Sequence, residues 1–349
     1  MAHPRFENST EFPVELLGLA DEAGRPVVSI IVKATLTLTP DGQLRPAENQ
    51  LVLTTDAEHN GADENSSLRF ESETAFCKPA TDVVFVGHAH APNPGTQFVD
   101  AGLKVGPVQK IARVFGDRFW VKTGGSIIAT KAQSFERLPL VYERAFGGWD
   151  KADNDESNWR YEPRNPVGMG FGDPLRFVEE GKVPIPNIED PQHLIARYGD
   201  TPPPAGFGFI SPNWQPRAQY AGTYDEKWDK ERKPLLPADF DRRFFNAASP
   251  GLVAPGYLRG DEDVMIVNAS PVPKLKFKLP GIPPPVCKFE LRGGRTEVLQ
   301  TNLDTVIINT DEMLVFLLWR NYMQVPNGPH DVVSIEVTTE RELHTATTV

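Results

Sequence analysis

The stretch Val28-Ser29-Ile30-Ile31-Val32-Lys33-Ala34-Thr35-Leu36-Thr37-Leu38-Thr39-Pro40-Asp41-Gly42 decides the fold class. Every even position from Val28 to Leu38 is apolar, and the odd positions beyond carry Lys33, Thr35, Thr37 and Thr39. An extended chain places alternate side chains on opposite faces, and β-branched residues favour that geometry. The spacing predicts a strand with one buried and one solvated face. Pro40-Asp41-Gly42 stops it, because Pro fixes φ and Gly permits the positive φ of a tight turn. The chain then returns through Leu44.

The same signature recurs outward in both directions. Residues 83–91 form an apolar run, Val99, Ala101, Leu103 and Val105 alternate, and residues 111–120 fold over Gly116-Asp117. In the last third, residues 264–267, 275–279 and 287–291 read as strands, as do Val333, Ile335 and Val337. Thr305 to Ile308 and Met313 to Trp319 flank Asn309-Thr310-Asp311-Glu312 as a hairpin would. Helical periodicity is confined to Gln192–Tyr198 and Asp239–Ala248, both short. The expected fold is all-β, or β-dominated α+β at most, with antiparallel sheets in a sandwich or barrel-like core.

Between the two β regions the character changes. Residues 139–245 hold fourteen prolines, ten glycines and four of the six tryptophans. Proline removes a backbone donor and forbids central-strand pairing, yet disordered linkers lack aromatics. A long ordered loop with its own hydrophobic anchors is usually functional. The chain divides into a β region at 1–138, a structured insertion at 139–250 covering the core, and a second β region at 251–349. The first and third are expected to pack as one unit.

Composition narrows the function. A net charge of -11 with no offsetting basic run argues against nucleic acid and anionic membranes, which need clustered Lys and Arg. Residues 1–7 lack the apolar core of a secretory signal, and no stretch reaches the roughly 20 apolar residues of a membrane helix. Cys77 and Cys287 are far apart and form no metal pattern, so reduced thiols in a cytoplasm are expected. The sequence contains no nucleophile elbow, zinc-helix or phosphate-loop signature, so neither catalytic residues nor a cofactor are assigned. Gly168-Met169-Gly170-Phe171-Gly172 follows Pro166 rather than a strand, and Asp173-Pro174 interrupts any helix that would receive a pyrophosphate; it reads as a turn. Asp153-Asn154-Asp155-Glu156 and Asp261-Glu262-Asp263 read as solvated turns. His88 and His90, at i and i+2 on a strand, share a face and are the weak metal candidates, with Asp56, His59 and Asp63 as conceivable further ligands. The pair reads first as polar residues on a solvated sheet face, with metal binding the lesser alternative.

Three insertion segments carry aromatics beside Arg and Gly. They are Pro139-Leu140-Val141-Tyr142-Glu143-Arg144-Ala145-Phe146-Gly147-Gly148-Trp149-Asp150, Pro204-Ala205-Gly206-Phe207-Gly208 with Trp214 and Arg217, and Ala221-Gly222-Thr223-Tyr224-Asp225-Glu226-Lys227-Trp228 running to Leu236-Pro237-Ala238-Asp239-Phe240-Asp241. Trp, Tyr and Arg dominate interface hot spots, which makes Tyr142, Glu143, Phe146, Trp149, Trp214, Arg217, Tyr224, Asp225 and Trp228 the partner-binding candidates. The competing reading is a satellite core beneath the loop, with Arg217 and Arg144 pairing Asp225 or Glu143.

Read in order with Val32-Lys33-Ala34-Thr35, Ser66-Ser67-Leu68, Lys78-Pro79-Ala80-Thr81-Asp82-Val83 and Gly116-Asp117-Arg118, these motifs resemble a bacterial family encoded beside type VI secretion effectors. Its members act as adaptors or chaperones for those effectors. The resemblance runs from about Asn8 to Pro280 and implies a non-enzymatic protein. Such a protein would bind an effector, commonly one with a PAAR-type tip, and help load it onto the VgrG spike. Exposed sheet edges offer one docking route, by accepting a cargo strand. The alternative is a carbohydrate-active or other hydrolytic β-protein, stacking sugars on Trp149, Trp214 or Trp228 beside two carboxylates roughly 5 to 10 Å apart.

Overall fold

The stretch around Ile30 becomes the strand Pro26–Leu38 at the heart of a six-stranded central sheet. The computed structural model describes residues 4–62, 65–151, 153–172 and 182–339. The sheet order is Val14–Ala20, Pro26–Leu38, Leu314–Gln324, Asn302–Asn309 and Asp82–Val86, with Leu44–Pro46 paired to the far end of Pro26–Leu38. All these pairings are antiparallel except Asn302–Asn309 against Asp82–Val86, which is parallel. The 305–319 hairpin forms as expected. N-terminal and C-terminal strands are thus interleaved in one sheet.

One expectation about Pro26–Leu38 fails. The strand is buried on both faces except at Thr37, because residues 47–76 return over the odd side. Lys33 donates to Val52 O and Glu73, Thr35 pairs with Gln50 and Leu51, and Ser29 donates to Phe76 O. Polar side chains can line a buried face when each finds a partner.

A second, five-stranded antiparallel sheet runs Ile188–Glu189, Val108–Phe115, Phe98–Val105, Asp263–Val267 and Lys274–Lys278. A third runs Arg5–Asn8, Val332–Thr338, Val286–Leu291 and Thr296–Gln300, its first pair parallel. Val108–Phe115 does not fold back on the strand Arg118–Thr123 as expected. At Gly116-Asp117 the chain changes sheets, and Arg118–Thr123 pairs with Ser126–Ala129 and Lys182–Ile185. No closed barrel forms among the described residues. The fold is all-β, and the three sheets share one hydrophobic core. Trp319 lies at its centre, fully buried and stacked on Phe12 at 6.3 Å; each such side chain contributes about 1.5–3 kcal/mol by burial.

The insertion is part of that core rather than only its cover. It supplies Ile188–Glu189 to the second sheet and packs Phe207, Phe209, Ile210, Ala247 and Ala248 into the shared interior. No helix forms at Gln192–Tyr198, and Asp239–Ala248 holds only the 3-10 turn Arg242–Phe245. An α-helix appears instead at Glu226–Glu231, where Asp225 accepts from Trp228 N at 2.8 Å as its N-cap; that cap geometry explains the Thr-Tyr-Asp-x-x-Trp spacing. No helix among the described residues is long and apolar enough to cross a membrane.

Candidate functional site

The strand His88–His90 pairs with Arg137–Pro139, which places Arg137 opposite His90. Asp311 reaches the same place from the hairpin turn, where Asn309 Oδ1 accepts from the Asp311 and Glu312 amides. His88 Nδ1 lies 2.8 Å from Asp311 Oδ2, Arg137 Nη2 lies 2.5 Å from Asp311 Oδ1, and Arg137 is 3.0 Å from His88 Nδ1. Burial works against the Asp311 charge, but the bond from His88 and the Arg137 guanidinium hold its carboxyl below the usual range. Burial, reinforced by Arg137, pushes His90 down and favours its neutral form. A guanidinium beside the imidazole opposes a metal cation there, so the cluster acts as an ion-pair network. His59 is tied to Ser66 O at 3.0 Å, no group of three His, Cys, Asp or Glu among the described residues is placed for a metal, and Asp63 lies outside the described residues.

This network opens onto a cleft of about 540 Å³ bounded by Leu68, Phe85, His88, Glu143 and Asp311. A wider depression of about 950 Å³ shares His59, Ser66, Leu68 and Glu143 with it and extends to Trp149, Tyr161 and Trp214. The two make one groove, with Glu143 at the junction. Glu143 is pinned: its carboxylate accepts from Ser67 N and Ser67 Oγ, both at 2.7 Å. At the outer end Trp149 stacks on Tyr161, ring centroids 4.4 Å apart and both residues 44% exposed. Residues Trp149–Asp150 and Arg160–Tyr161 pair as a short ribbon that presents this stack, and Lys151 Nζ lies 5.4 Å from the Trp149 ring.

Only some of the sequence candidates meet here. Glu143, Trp149 and Trp214 line the groove. Tyr142, Phe146, Trp214 and Arg217 are nearly fully buried, a placement that suits packing more than contact with a partner, and Trp214 reaches the groove as its floor. Tyr142 packs edge-on against Trp214 at 5.5 Å and donates to Ser249 Oγ at 2.8 Å; burial raises its phenol above the ordinary value. A Cβ on Gly206 would come within 2.6 Å of the Tyr142 ring, which is why the Pro-Ala-Gly-Phe-Gly segment needs glycine there. Gly147 at φ +154 is likewise packed against Asn165, whose side chain donates to Tyr142 O and Phe146 O. Tyr224, Asp225 and Trp228 form a separate surface around the short helix, with Trp228 Nε1 donating to Leu235 O at 2.7 Å.

The residues 23–320 match the model of a family described as an uncharacterized protein conserved in bacteria, DUF2169. The chain belongs to this family. No curated protein and no solved structure matches it.

Sequence reading missed the ionic core of this DUF2169 chain. Lys78 Nζ lies 2.7 Å from Asp82 Oδ2 and 4.0 Å from Glu71; Glu71 pairs in turn with Arg217, and Asp304 with Arg320 at 3.1 Å. Three cations and three carboxylates are therefore buried together. Asp82 also accepts from Asn246 Nδ2 and Ala247 N, both at 2.9 Å. Burial raises the Glu71 and Asp304 carboxyls despite their cationic neighbours. The expected partners of Arg217 and Arg144 are also corrected. Arg217 takes Glu71, and Arg144 takes Asn187 at 3.0 Å and Asp117 at 3.7 Å. The signal available was Lys78-Pro79-Ala80-Thr81-Asp82 itself, an oppositely charged pair in an otherwise apolar setting. The same region caps one edge of the central sheet: Val83 N donates to Leu252 O, Ala254 N to Thr81 O and Phe85 N to Phe207 O. Strand addition is closed at that edge, whereas Val14–Ala20 at the other edge pairs, among the described residues, only with Pro26–Leu38.

Proposed function

We propose that this bacterial chain is a non-enzymatic adaptor or chaperone that seats a protein cargo in the groove ending at Trp149 and Tyr161. In this reading the cargo is a type VI effector, commonly with a PAAR-type tip, which the adaptor helps load onto the VgrG spike from the cytoplasm. The exposed Trp149–Tyr161 stack carries the proposal. Two large aromatic residues stacked face to face, each 44% exposed, leave unburied the kind of area that anchors a partner. The groove carboxylates Glu143 and Asp311 are already bonded to Ser67, His88 and Arg137, an arrangement suited to shaping a surface rather than exchanging protons with a substrate. The type VI assignment comes from the ordered sequence motifs.

The test is co-purification of the chain with the effector encoded beside it, using wild type and a Trp149→Ala/Tyr161→Ala variant. Capture by the wild type, its loss in the variant, and loss of effector secretion on deletion of the gene are expected. Undiminished secretion in the deletion strain would sink the proposal.

A further inference from the structure

The outer face of the second sheet is cationic although the chain as a whole is acidic. In the register Lys104 pairs with Met265, and Met265 with Lys276, which puts both lysines in one row on one face. Lys274 and Lys278 flank Lys276 at two-residue spacing and share that face, while Leu275 and Phe277 turn inward. All four lysines are exposed, and among the described residues none has a salt bridge or hydrogen bond through its side chain. The acids on this face do not neutralise them. Asp100 is bonded to Arg113 at 2.7 Å, and Asp263, opposite Lys278, is not within ion-pair distance. Apolar surface lies alongside at Ile111, 48% exposed and two residues from Gln109, the register partner of Lys104.

Edge strands often carry lysines to block unwanted pairing. Lys274, Lys276 and Lys278 lie on such an edge strand, but Lys104 lies two strands in from it, and the backbone at Gly42 already packs against Lys276 O. Four like charges without an internal partner give this face a local positive potential that an anionic group can complement. A net charge of -11 repels an extended polyanion such as duplex DNA or an anionic bilayer. A short acidic segment feels mainly the charges within a Debye length of roughly 8–10 Å, and the neighbouring Ile111 suits an apolar side chain of such a segment. We infer that this face docks an acidic segment of a partner protein, with Asp or Glu alternating with apolar residues. None of its lysines lines the groove, so the inference stands independently of the cargo reading.

The experiment uses the full chain and a fluorescein-labelled peptide in which Glu alternates with Val, followed by anisotropy. Reversing Lys104 and Lys276 (Lys104→Glu with Lys276→Glu) should weaken binding about tenfold, the worth of two exposed charge pairs, and added salt should weaken the wild type similarly. Lys122→Glu with Lys131→Glu, an equal charge change at exposed sites elsewhere, should leave affinity within about twofold of a purely long-range effect. Circular dichroism confirms that both variants fold. Equal losses in both double variants would overturn the inference. So would binding of duplex DNA or phosphatidylserine vesicles as strong as that of the peptide, or wild-type self-association that the Lys104/Lys276 reversal abolishes.

Discussion

Lys110 gives the sharpest test of how the core is built. It stands in the register opposite Leu103, on the same inward face as Val108 and Ala112, and its ammonium donates to Ser249 Oγ at 2.6 Å and Pro250 O at 2.8 Å. Burial pushes its pKa down to about 7, with Asp190 too weak an opponent to restore it. In the unfolded chain Lys110 returns to its ordinary value near 10.5. Between these values the unfolded state binds more protons, so stability rises with pH across the window from about 7 to about 10.5 and the contribution is flat below it. One pKa unit is worth about 1.4 kcal/mol, and the folded lysine is half protonated at the start of the window. From about pH 7 to about pH 9 the gain is therefore about 2 kcal/mol. Lys110→Met keeps an unbranched chain and removes the titration. Urea unfolding followed by tryptophan fluorescence, run on both proteins from about pH 6 to about pH 9, isolates Lys110 as the difference between them. The wild type should gain on the variant by about 2 kcal/mol above pH 7 and not below it. A difference that stays flat, or that falls as pH rises, refutes a desolvated, neutral-prone lysine at this half-buried position.

Lys78→Met leaves the buried Asp82 carboxylate without its cation and should cost about 3–5 kcal/mol, read as a large drop in Tm; a loss no greater than that of a surface lysine would contradict the ionic core. Trp149→Ala removes a half-exposed stack, so stability should fall by no more than about 1.5 kcal/mol while cargo capture falls about tenfold or more. If stability collapses instead, the stack is structural. Burial lifts the Cys77 thiol to about 11 and the Cys287 thiol to about 12, so neither forms thiolate near neutrality. Native protein should resist a thiol reagent that labels both cysteines after unfolding, and rapid native labelling would disprove this.

The strands were legible because alternation is a local property: Val28 to Leu38, Val99 to Val105 and Leu275 to Phe277 need no knowledge of the rest of the chain to declare their faces. What surrounds those faces is not local. Lys33 reads as solvated until Glu73, forty residues on, arrives at 2.8 Å. Along Val108–Phe115 the parity inverts, with Lys110 inside and Ile111 48% exposed, because Ser249 and Pro250 come from the far side of the insertion to satisfy the ammonium. Arg217 finds Glu71, and no spacing rule connects the two.

The same physics decides which residues can recognise a partner. The sequence motifs include Lys78, Asp82, Tyr142 and Arg217, and these are consumed in holding the insertion to the sheets; a buried ion pair that loses one member costs far more than an exposed one, so such residues tolerate little change whatever the partner is. Trp149 and Tyr161 at the groove, and Lys104 and Lys276 on the second sheet, are exposed, and the two lysines have no internal partner among the described residues. They can change without loss of the fold. If chains of this build are adaptors as proposed and serve different cargoes, specificity is expected in the exposed rings and lysines, and exchanging those between two members should exchange cargo while exchanging the buried motif residues should not.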